Sequence, residues 1–189
     1  MTPENLKTDF DEIFKGVIIP FFKDLGFKRK TQHFARQTNN ITQCFNVQKS
    51  QWNSYHDDLS FTFNVGFYND LLYLESWDRK ETTDFPKHYD CQIQFRLGQF
   101  SHKTDHWYKL SPRIDYKKVS ESIESDLNKY LLPLFDKYQT LDSFKEMPQS
   151  AIQYALRTSS SLIIHTAGED PQFHKNPYIQ KGKISSILC

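Results

Sequence analysis

The 189-residue chain has little glycine, almost no net charge and no long apolar run. Its six glycines leave little material for phosphate-cradling loops, and no G-x-G-x-x-G, P-loop or G-x-S-x-G pattern occurs. Its 24 basic and 23 acidic side chains create no global field that draws it to nucleic acid or an anionic membrane. The apolar run from Val17 to Phe22 is far too short to span a bilayer. These absences argue against phosphate-binding loops, a serine-hydrolase motif and a membrane-spanning segment, and the charge balance indicates no class of partner.

Cysteine is also scarce. Cys44, Cys91 and Cys189 are odd in number and widely spaced, and none forms a C-x-x-C pair of the redox or zinc type. This usage favours a reducing compartment. The N-terminus is polar and acidic, where a secretory signal has a cationic start and an apolar run. We therefore expect a cytoplasmic protein.

Aromatic residues, by contrast, are abundant. The chain has 16 Phe, 10 Tyr and 3 Trp although its mean hydropathy is −0.69. A chain of this size buries roughly 70% of the surface that its unfolded form exposes, so these rings can build a core without disulfides or metals. We predict a single α+β domain over residues 1–140, with a helical or irregular extension over 141–189 packed on it.

Two segments have the spacing of amphipathic helices. In the first, apolar residues recur every three or four positions from Leu6, and Gly26 follows as a residue that can end the helix in the left-handed conformation. The same pattern returns over residues 119–138. Each segment contains an internal proline, Pro20 and Pro133, so we expect a kink in both helices.

Three segments between these helices alternate apolar and polar residues strictly, which is typical of half-buried antiparallel strands. They are residues 41–49, 60–68 and 91–97, and their apolar side chains fall at odd positions. The predicted core residues are Phe45, Val47, Phe61, Phe63, Val65, Ile93 and Phe95. Residues 27–30 and 33–36 form either the two arms of a hairpin or one broken edge strand. We predict a mostly antiparallel sheet of four or so strands, with the helices packed on its odd face.

The even positions of these strands form a polar face. It carries Asn46, Gln48, Ser50, Thr62, Asn64, Gln92, Gln94 and Arg96. Amides and a guanidinium bind a peptide, a sugar or a nucleotide by directed hydrogen bonds. The alternative is the ordinary solvated face of an antiparallel sheet. Solvated faces usually carry Lys, Glu and Thr, so the neutral amides keep the binding interpretation open.

Signals for chemistry are weaker. His102 and His106 have the i, i+4 spacing of a helical metal pair, but they lack the glutamate of H-E-x-x-H and a helical pattern, so we expect a loop and no metal site. Cys44 and Cys91 fall in strands, away from the helix N-termini or cations that activate a thiol. No catalytic residue is assigned.

A basic strip followed by aromatic residues resembles a surface for single-stranded nucleic acid. It consists of residues 28–30, Arg36 and Lys49, with Trp52 and Tyr55 following. The pI of about 7.7 argues against this interpretation, because nucleic-acid-binding domains usually have a high pI. We do not expect nucleic acid to be the partner.

Several short motifs follow one another in the order of a known family. Leu-Gly-Phe-Lys-Arg-Lys at 25–30 is followed by Phe-Ala-Arg at 34–36, Val-Gln-Lys-Ser at 47–50, Phe-Thr-Phe-Asn-Val-Gly at 61–66 and Trp-Tyr at 107–108. Over about residues 6–136 the chain resembles the bacterial domain-of-unknown-function family 4304. The resemblance implies a bacterial, cytoplasmic α+β domain without an assigned activity, and it supplies no catalytic residues.

The sequence thus predicts a non-enzymatic binding module that engages another macromolecule, another protein in the first place, through the polar face and aromatic loops. We expect these loops to carry the aromatic residues that do not follow the strand alternation, which are Trp52, Tyr55, Tyr73, Trp77, Trp107 and Tyr108. An immunity-type protein that neutralises a toxin is one concrete form. The predicted site residues are Asn46, Gln48, Ser50, Trp52, Asn64, Gln94 and Arg96. We expect no cofactor, metal or membrane to take part, and the oligomeric state stays open. The competing hypothesis is a small-ligand-binding protein or enzyme at the same amides and Arg96, with a histidine such as His88 as acid or base.

Overall fold

A computed structural model of the chain describes residues 3–54, 57–77 and 81–143. Tyr55 and most of the extension expected over 141–189 lie outside these described residues. Two long helices open and close the described chain, and a six-stranded antiparallel sheet lies between them in sequence. This confirms the predicted α+β class. Within the described residues, no helix is both long and apolar enough to cross a bilayer.

The N-terminal helix is built around its internal proline. It consists of an α-helical segment Pro3–Ile13, a π-helical turn Phe14–Ile18 and an α-helical segment Ile19–Asp24. Proline has no N–H, and its ring crowds the carbonyl four residues earlier. The π turn widens the helix just before Pro20, where the N–H of the preceding residue donates five residues back. Gly26 ends the helix with a φ of 79°, as expected.

The C-terminal helix repeats this arrangement. Its segments are Tyr116–Asp126, the π turn Leu127–Leu131, and Leu132–Lys137, in which Pro133 occupies the first turn. Asp115 caps its start, because its side chain accepts a hydrogen bond from the N–H two residues on. Just before each proline, where we expected a kink, the structure thus has a π-helical turn.

The sheet has six strands where four or so were predicted. They are β1 (Lys28–Lys30), β2 (His33–Gln37), β3 (Thr42–Lys49), β4 (Leu59–Tyr68), β5 (Ile93–Arg96) and β6 (Tyr108–Leu110). The order is β1-β2-β3-β4-β5, and β6 pairs with the beginning of β4 on the same edge as β5. All pairs are antiparallel, and β1 and β2 form the hairpin that was one of the two alternatives.

The hydrophobic core lies between the odd face of the sheet and the two long helices. Every predicted core residue is at most 5% exposed: Phe45, Val47, Phe61, Phe63, Val65, Ile93 and Phe95. Aromatic contacts carry much of this packing, with ring centroids 4.3 Å apart for Phe22 and Phe45 and 5.1 Å apart for Phe10 and Phe61. The predicted side of helix packing is therefore confirmed.

A polar pair on this odd face, Gln43 and Arg36, joins the ends of both helices. Gln43 is fully buried, and its amide nitrogen donates to the carbonyls of Phe135 (2.6 Å) and Tyr138 (3.1 Å) at the end of the C-terminal helix. Arg36 donates to the Gln43 side-chain oxygen (2.7 Å) and to the carbonyl of Leu25 (2.8 Å) at the end of the N-terminal helix. These contacts satisfy helix carbonyls that would otherwise lack partners.

Two predicted loops were wrong. Tyr73 and Trp77 lie in a helix, Asp70–Trp77, which has hardly any apolar stripe and so has no helical periodicity to detect. Tyr108 lies in the three-residue strand β6, where it is 5% exposed and packs on Phe61 with a centroid distance of 5.6 Å. A strand this short contains too few residues to show alternation.

Candidate functional site

The pairing register brings four polar residues into one row across the even face. His33 of β2 pairs with Asn46 of β3, Asn46 with Asn64 of β4, and Asn64 with Arg96 of β5. We call these four residues the polar row. Three of them were expected on this face, and antiparallel pairing aligns them in a line perpendicular to the strands.

The amides of the row form a hydrogen-bonded chain with a fixed direction. Asn46 donates to the backbone carbonyl of Gln32 (3.2 Å), which can only accept, so the Asn46 oxygen must face Asn64. The Asn64 amide nitrogen donates to that oxygen (3.1 Å) and to the side-chain oxygen of Gln48 (2.8 Å). Asn46 and Asn64 are each 6% exposed, whereas Gln48 is exposed. The chain therefore ends in the N–H groups of Gln48 at the surface.

Residues 85–92, here called the cover segment, lie against the even face beside the polar row. A second apolar cluster forms there from Ala35, Cys44, Tyr68, Phe85 and Cys91. This cluster excludes the simple alternative of a solvated outer face.

Close approach at one glycine lets the cover segment reach the sheet. A Cβ on Gly66 would lie 2.6 Å from the sulfur of Cys91. The thiols of Cys44 and Cys91 are fully buried and form no disulfide. Each donates to a carbonyl of the cover segment: Cys44 to Pro86 (3.3 Å) and Cys91 to Lys87 (3.4 Å). Burial, with Cys44 adjacent, raises the pKa of the Cys91 thiol well above its usual value. These contacts favour structural thiols over reactive ones.

The cover segment places His88 against the polar row. The His88 ring lies nearly parallel to that of His33, with centroids 6.0 Å apart, and Tyr89 presents its ring edge-on to both. Burial, together with His33 and Arg96, lowers the pKa of His88 to about 4. Burial and the nearby Lys87 ammonium lower the pKa of His33, although Asp90 opposes this. Both rings are therefore neutral at pH 7.

Arg96, at the other end of the row, is held in place from two sides. Its guanidinium pairs with Asp105 and lies 4.9 Å from the ring centroid of Trp107. The indole N–H of Trp107 donates to the same carboxylate (3.3 Å). The Arg96 side chain retains 23% exposure, so the guanidinium is both oriented and accessible.

The remaining predicted site residues lie at the two ends of the face. Gln94 is half-buried and donates to the carbonyl of Cys91 (2.7 Å), so it holds the cover segment. Ser50 is half-buried at the β3–β4 turn, and its hydroxyl accepts from the N–H of Trp52 (3.1 Å). Trp52 itself is 83% exposed. The structure thus brings Asn46, Asn64 and Arg96 into one pairing row, and Asn64 also hydrogen-bonds to Gln48. Ser50 and Trp52 lie beyond this row at the strand end.

Sequence reasoning missed His33 and Tyr89 as members of this region, and it placed Trp107 in a loop without its contact to Arg96. The alternation of β2 places His33 on the even face, but only the register shows that it aligns with Asn46. Tyr89 and Trp107 come from connecting segments, and hydrophobic periodicity does not predict the path of such a segment.

The other histidine pair, His102 and His106, does not lie on one helix as a helical metal-binding pair would. His102 follows the short helix Gly98–Ser101, and His106 lies in the loop before β6, as predicted. Their rings stack with centroids 3.7 Å apart. In the part of the chain that the structure describes, no three His, Cys, Asp or Glu side chains form a group that could hold a metal ion.

Comparison with known proteins identifies one family. The model of DUF4304, described as a domain of unknown function, matches residues 18–137, more than half of the chain. The match spans all six strands, the whole C-terminal helix and the end of the N-terminal helix from residue 18 onward. No curated protein and no solved structure matches the chain.

Proposed function

The chain belongs to the DUF4304 family of unknown function, and on that premise we propose that it is a non-enzymatic binding module for another protein. The binding surface is the even face of the sheet with the Trp52 turn, and an immunity-type role toward a toxin is one form of this function. The observation that carries the proposal is the 83% exposure of Trp52 at the end of a face that also presents Gln48 and Arg96.

Trp52 is exposed on a turn whose base is held by hydrogen bonds. The side chain of Asn53 donates to the carbonyl of Ser60 (3.0 Å) and accepts from its N–H (2.7 Å). The N–H of Trp52 is bound by Ser50. A large ring kept in water on a fixed turn is typical of an interface anchor, because tryptophan is enriched among the residues that dominate binding energy.

The rest of the face supplies other anchor types. Tyr89 is 50% exposed, and Arg96 is oriented by Asp105 and Trp107 before any partner arrives. Such pre-organisation reduces the side-chain entropy lost on binding. Tyrosine, tryptophan and arginine around a polar centre are the usual composition of protein interfaces.

The internal hydrogen bonds of the amides weigh against the competing small-ligand or enzyme hypothesis at the same residues. Asn46, Asn64 and Gln94 already bind one another or the backbone. A ligand that used them would have to replace those bonds. The amides thus serve better as a rigid floor, with Gln48 and Arg96 as the groups offered to a partner.

Capture from the native lysate by the tagged full chain, with quantitative mass spectrometry, tests this proposal. The wild-type chain should retain one protein in stoichiometric amount, and Trp52→Ala should weaken that complex by about 2 kcal/mol, roughly thirty-fold in Kd. Leu71→Ala is the matched control, because Leu71 is a 60% exposed apolar residue in the helix after the other end of β4. The proposal fails if no protein is retained, or if both variants retain it equally.

A further inference from the structure

We propose that the stacked imidazoles of His102 and His106 form a pH-sensitive latch, which holds the loop of residues 102–107 and thereby the orientation of Arg96. The loop is held while at most one of the two rings carries a proton, and it is released when both do. This inference rests on the proposed function, because Arg96 is one of the groups that the even face offers to a partner.

The latch lies beside a buried carboxylate. The His102 and His106 rings stack with centroids 3.7 Å apart and planes 8° from parallel. Nδ1 of His102 lies 3.7 Å from a carboxylate oxygen of Asp126, which is 6% exposed in the C-terminal helix. The same oxygen accepts a hydrogen bond from the hydroxyl of Tyr108 in β6, whose ring meets the His106 ring nearly at a right angle with centroids 4.7 Å apart. The latch is thus in contact with both the C-terminal helix and the sheet.

Close packing holds the loop onto the elements around it. A Cβ on Gly98 would lie 2.6 Å from both the backbone nitrogen and the Cβ of His106, so only glycine permits this approach. The carbonyl of His106 accepts a hydrogen bond from the hydroxyl of Thr62 in β4 (2.8 Å). His106 is therefore the point at which the loop joins the short helix Gly98–Ser101 and the sheet.

The residues on either side of His106 orient Arg96. Asp105 pairs with the guanidinium, and the ring centroid of Trp107 lies 4.9 Å from the guanidinium carbon. The indole N–H of Trp107 also donates to the Asp105 carboxylate (3.3 Å). Because Asp105 and Trp107 are the chain neighbours of His106, displacing His106 shifts both groups that hold Arg96.

The titratable groups that face His106 come from each element packed against it. They are His102 at the end of the preceding helix, Tyr108 in β6, Asp126 in the C-terminal helix and Asp105 in the loop itself. Burial and the His102 ring lower the pKa of His106, although Asp126 and Asp105 oppose this. Burial and the Asp126 carboxylate raise the pKa of Tyr108, so its hydroxyl remains a donor. The groups that gain protons below neutrality are therefore the two imidazoles.

A second proton opens the stack. One proton is tolerated, because a cationic His102 can pair with Asp126 and donate to the hydroxyl of Ser101, 2.7 Å away. A proton on His106 as well would place two positive charges in rings whose centroids are 3.7 Å apart, and repulsion in such a partly buried site is strong. Separation of the rings relieves this repulsion and releases the loop. Arg96 then loses its pre-organisation for a partner, which weakens binding at the even face.

Nitrogen-15 NMR of the full chain, recorded from about pH 7.5 to about pH 5, tests the latch through the indole N–H of Trp107. Opening should shift this signal and speed its exchange with water, with a midpoint below about pH 6.5, the ordinary pKa of histidine. The exposed indole of Trp52 is the internal control in the same spectra and should show no transition with this midpoint. Far-UV circular dichroism checks that the chain stays folded across the range.

Two variants remove the second charge in different ways. His106→Phe keeps a stacking ring that takes up no proton, so the Trp107 signal should stay at its neutral-pH position. His102→Asn leaves a single imidazole and should also remove the transition. His88→Gln is the matched control, because it removes another histidine that influences Arg96 but lies outside the latch, and it should retain the wild-type response. A Trp107 signal that does not move with pH in the wild type, or that moves equally in His106→Phe and His102→Asn, would overturn the inference.

The captured partner measures the consequence for binding. Its Kd for the wild-type chain should rise by up to about tenfold per pH unit below the pKa of His106, and less steeply for His106→Phe. Equal pH profiles of Kd for the two proteins would overturn the role of the latch in binding. A retained partner with a static Trp107 signal would contradict the latch alone. A missing lysate partner with a moving Trp107 signal would support the latch and contradict the protein-binding proposal alone.

Discussion

On the odd face of the sheet, phenylalanines such as Phe45 and Phe63 pack against two helices, whereas on the even face Asn46 and Asn64 bind each other beneath a short cover segment. The odd face buries one large cluster of apolar residues, with Gln43 as a buried polar residue among them. The even face has a small apolar cluster at one end and polar groups at the other. Both faces belong to the same strands, because successive side chains of a strand point to opposite faces of the sheet.

This contrast separates stability from binding. Burial of apolar rings is the dominant favourable contribution to folding, and the odd face supplies most of it. Keeping amides and imidazoles on the even face costs desolvation, which the odd face offsets. Substitutions on the odd face should therefore change the free energy of unfolding, and exposed residues of the even face should change binding.

The largest expected effect is on the odd face. Phe63→Ala should lower the free energy of unfolding by about 3 to 5 kcal/mol, because Phe63 is 1% exposed and the surroundings cannot close the cavity. Urea denaturation measures this change. Thr62→Ala is the neighbouring even-face control, and it should lose only the hydrogen bond to the carbonyl of His106 (2.8 Å). Equal losses for both variants would contradict the division between the faces.

Acidification should destabilise the protein through the even face. Unfolded His88 takes up a proton near pH 6.5, whereas the folded residue resists until about pH 4, so the unfolded state binds more protons in this window. Stability should fall by about 3 kcal/mol as the pH drops from about 6.5 to 4. Urea midpoints measured across this range should fall less steeply for His88→Gln. Parallel pH profiles for the two proteins would show that the folded protein does not keep His88 neutral in this pH range.

Gly66→Ala tests how closely the cover segment approaches the sheet. The new Cβ would meet the sulfur of Cys91 at 2.6 Å and should lower the free energy of unfolding by about 1 to 3 kcal/mol. Gly16→Ala is the matched control, because a Cβ there has nothing within 4 Å and alanine favours the helix. Thermal unfolding should place the two variants on opposite sides of the wild type. A Gly66→Ala protein of wild-type stability would mean that the cover segment is not packed as described.

The smallest expected effect on stability is that of Trp52→Ala. At 83% exposure, Trp52 contributes little to folding, so the free energy of unfolding should change by less than about 0.5 kcal/mol. Chemical denaturation checks this value in the same variant that should lose its partner. A loss above about 1 kcal/mol would assign Trp52 a structural role.

The sequence predicted those parts of the fold in which a long periodic pattern repeats. The helices around Leu6 and Ile123 and the odd-face residues of β3 and β4 follow from spacing alone, because burial imposes period 3.6 or period 2. β6 and the helix Asp70–Trp77 escaped detection, since one is too short and the other has no apolar stripe. The number of strands and the π-helical turns were therefore harder to predict than the residues of the hydrophobic core.

The sequence predicted on which face of the sheet the site residues lie, but not which of them contact one another. Alternation placed Asn46, Asn64 and Arg96 on one side of the sheet. The meeting of His33 with His88 depends on strand register and on the path of the cover segment, which join residues 55 positions apart in sequence. Register arises from turn geometry and from burial of the whole odd face, so no local pattern around either histidine contains it.

Hydrogen–deuterium exchange of the full chain with its captured partner tests the central claim most directly, because it reports which backbone amides the complex protects. We expect slower exchange in residues 50–54, 86–92 and 104–107, which surround the polar row, and no change in the helix Tyr116–Asp126 on the other face. Protection confined to that helix or to the edge strand Lys28–Lys30, with the even face unchanged, would contradict the assignment of binding to this face.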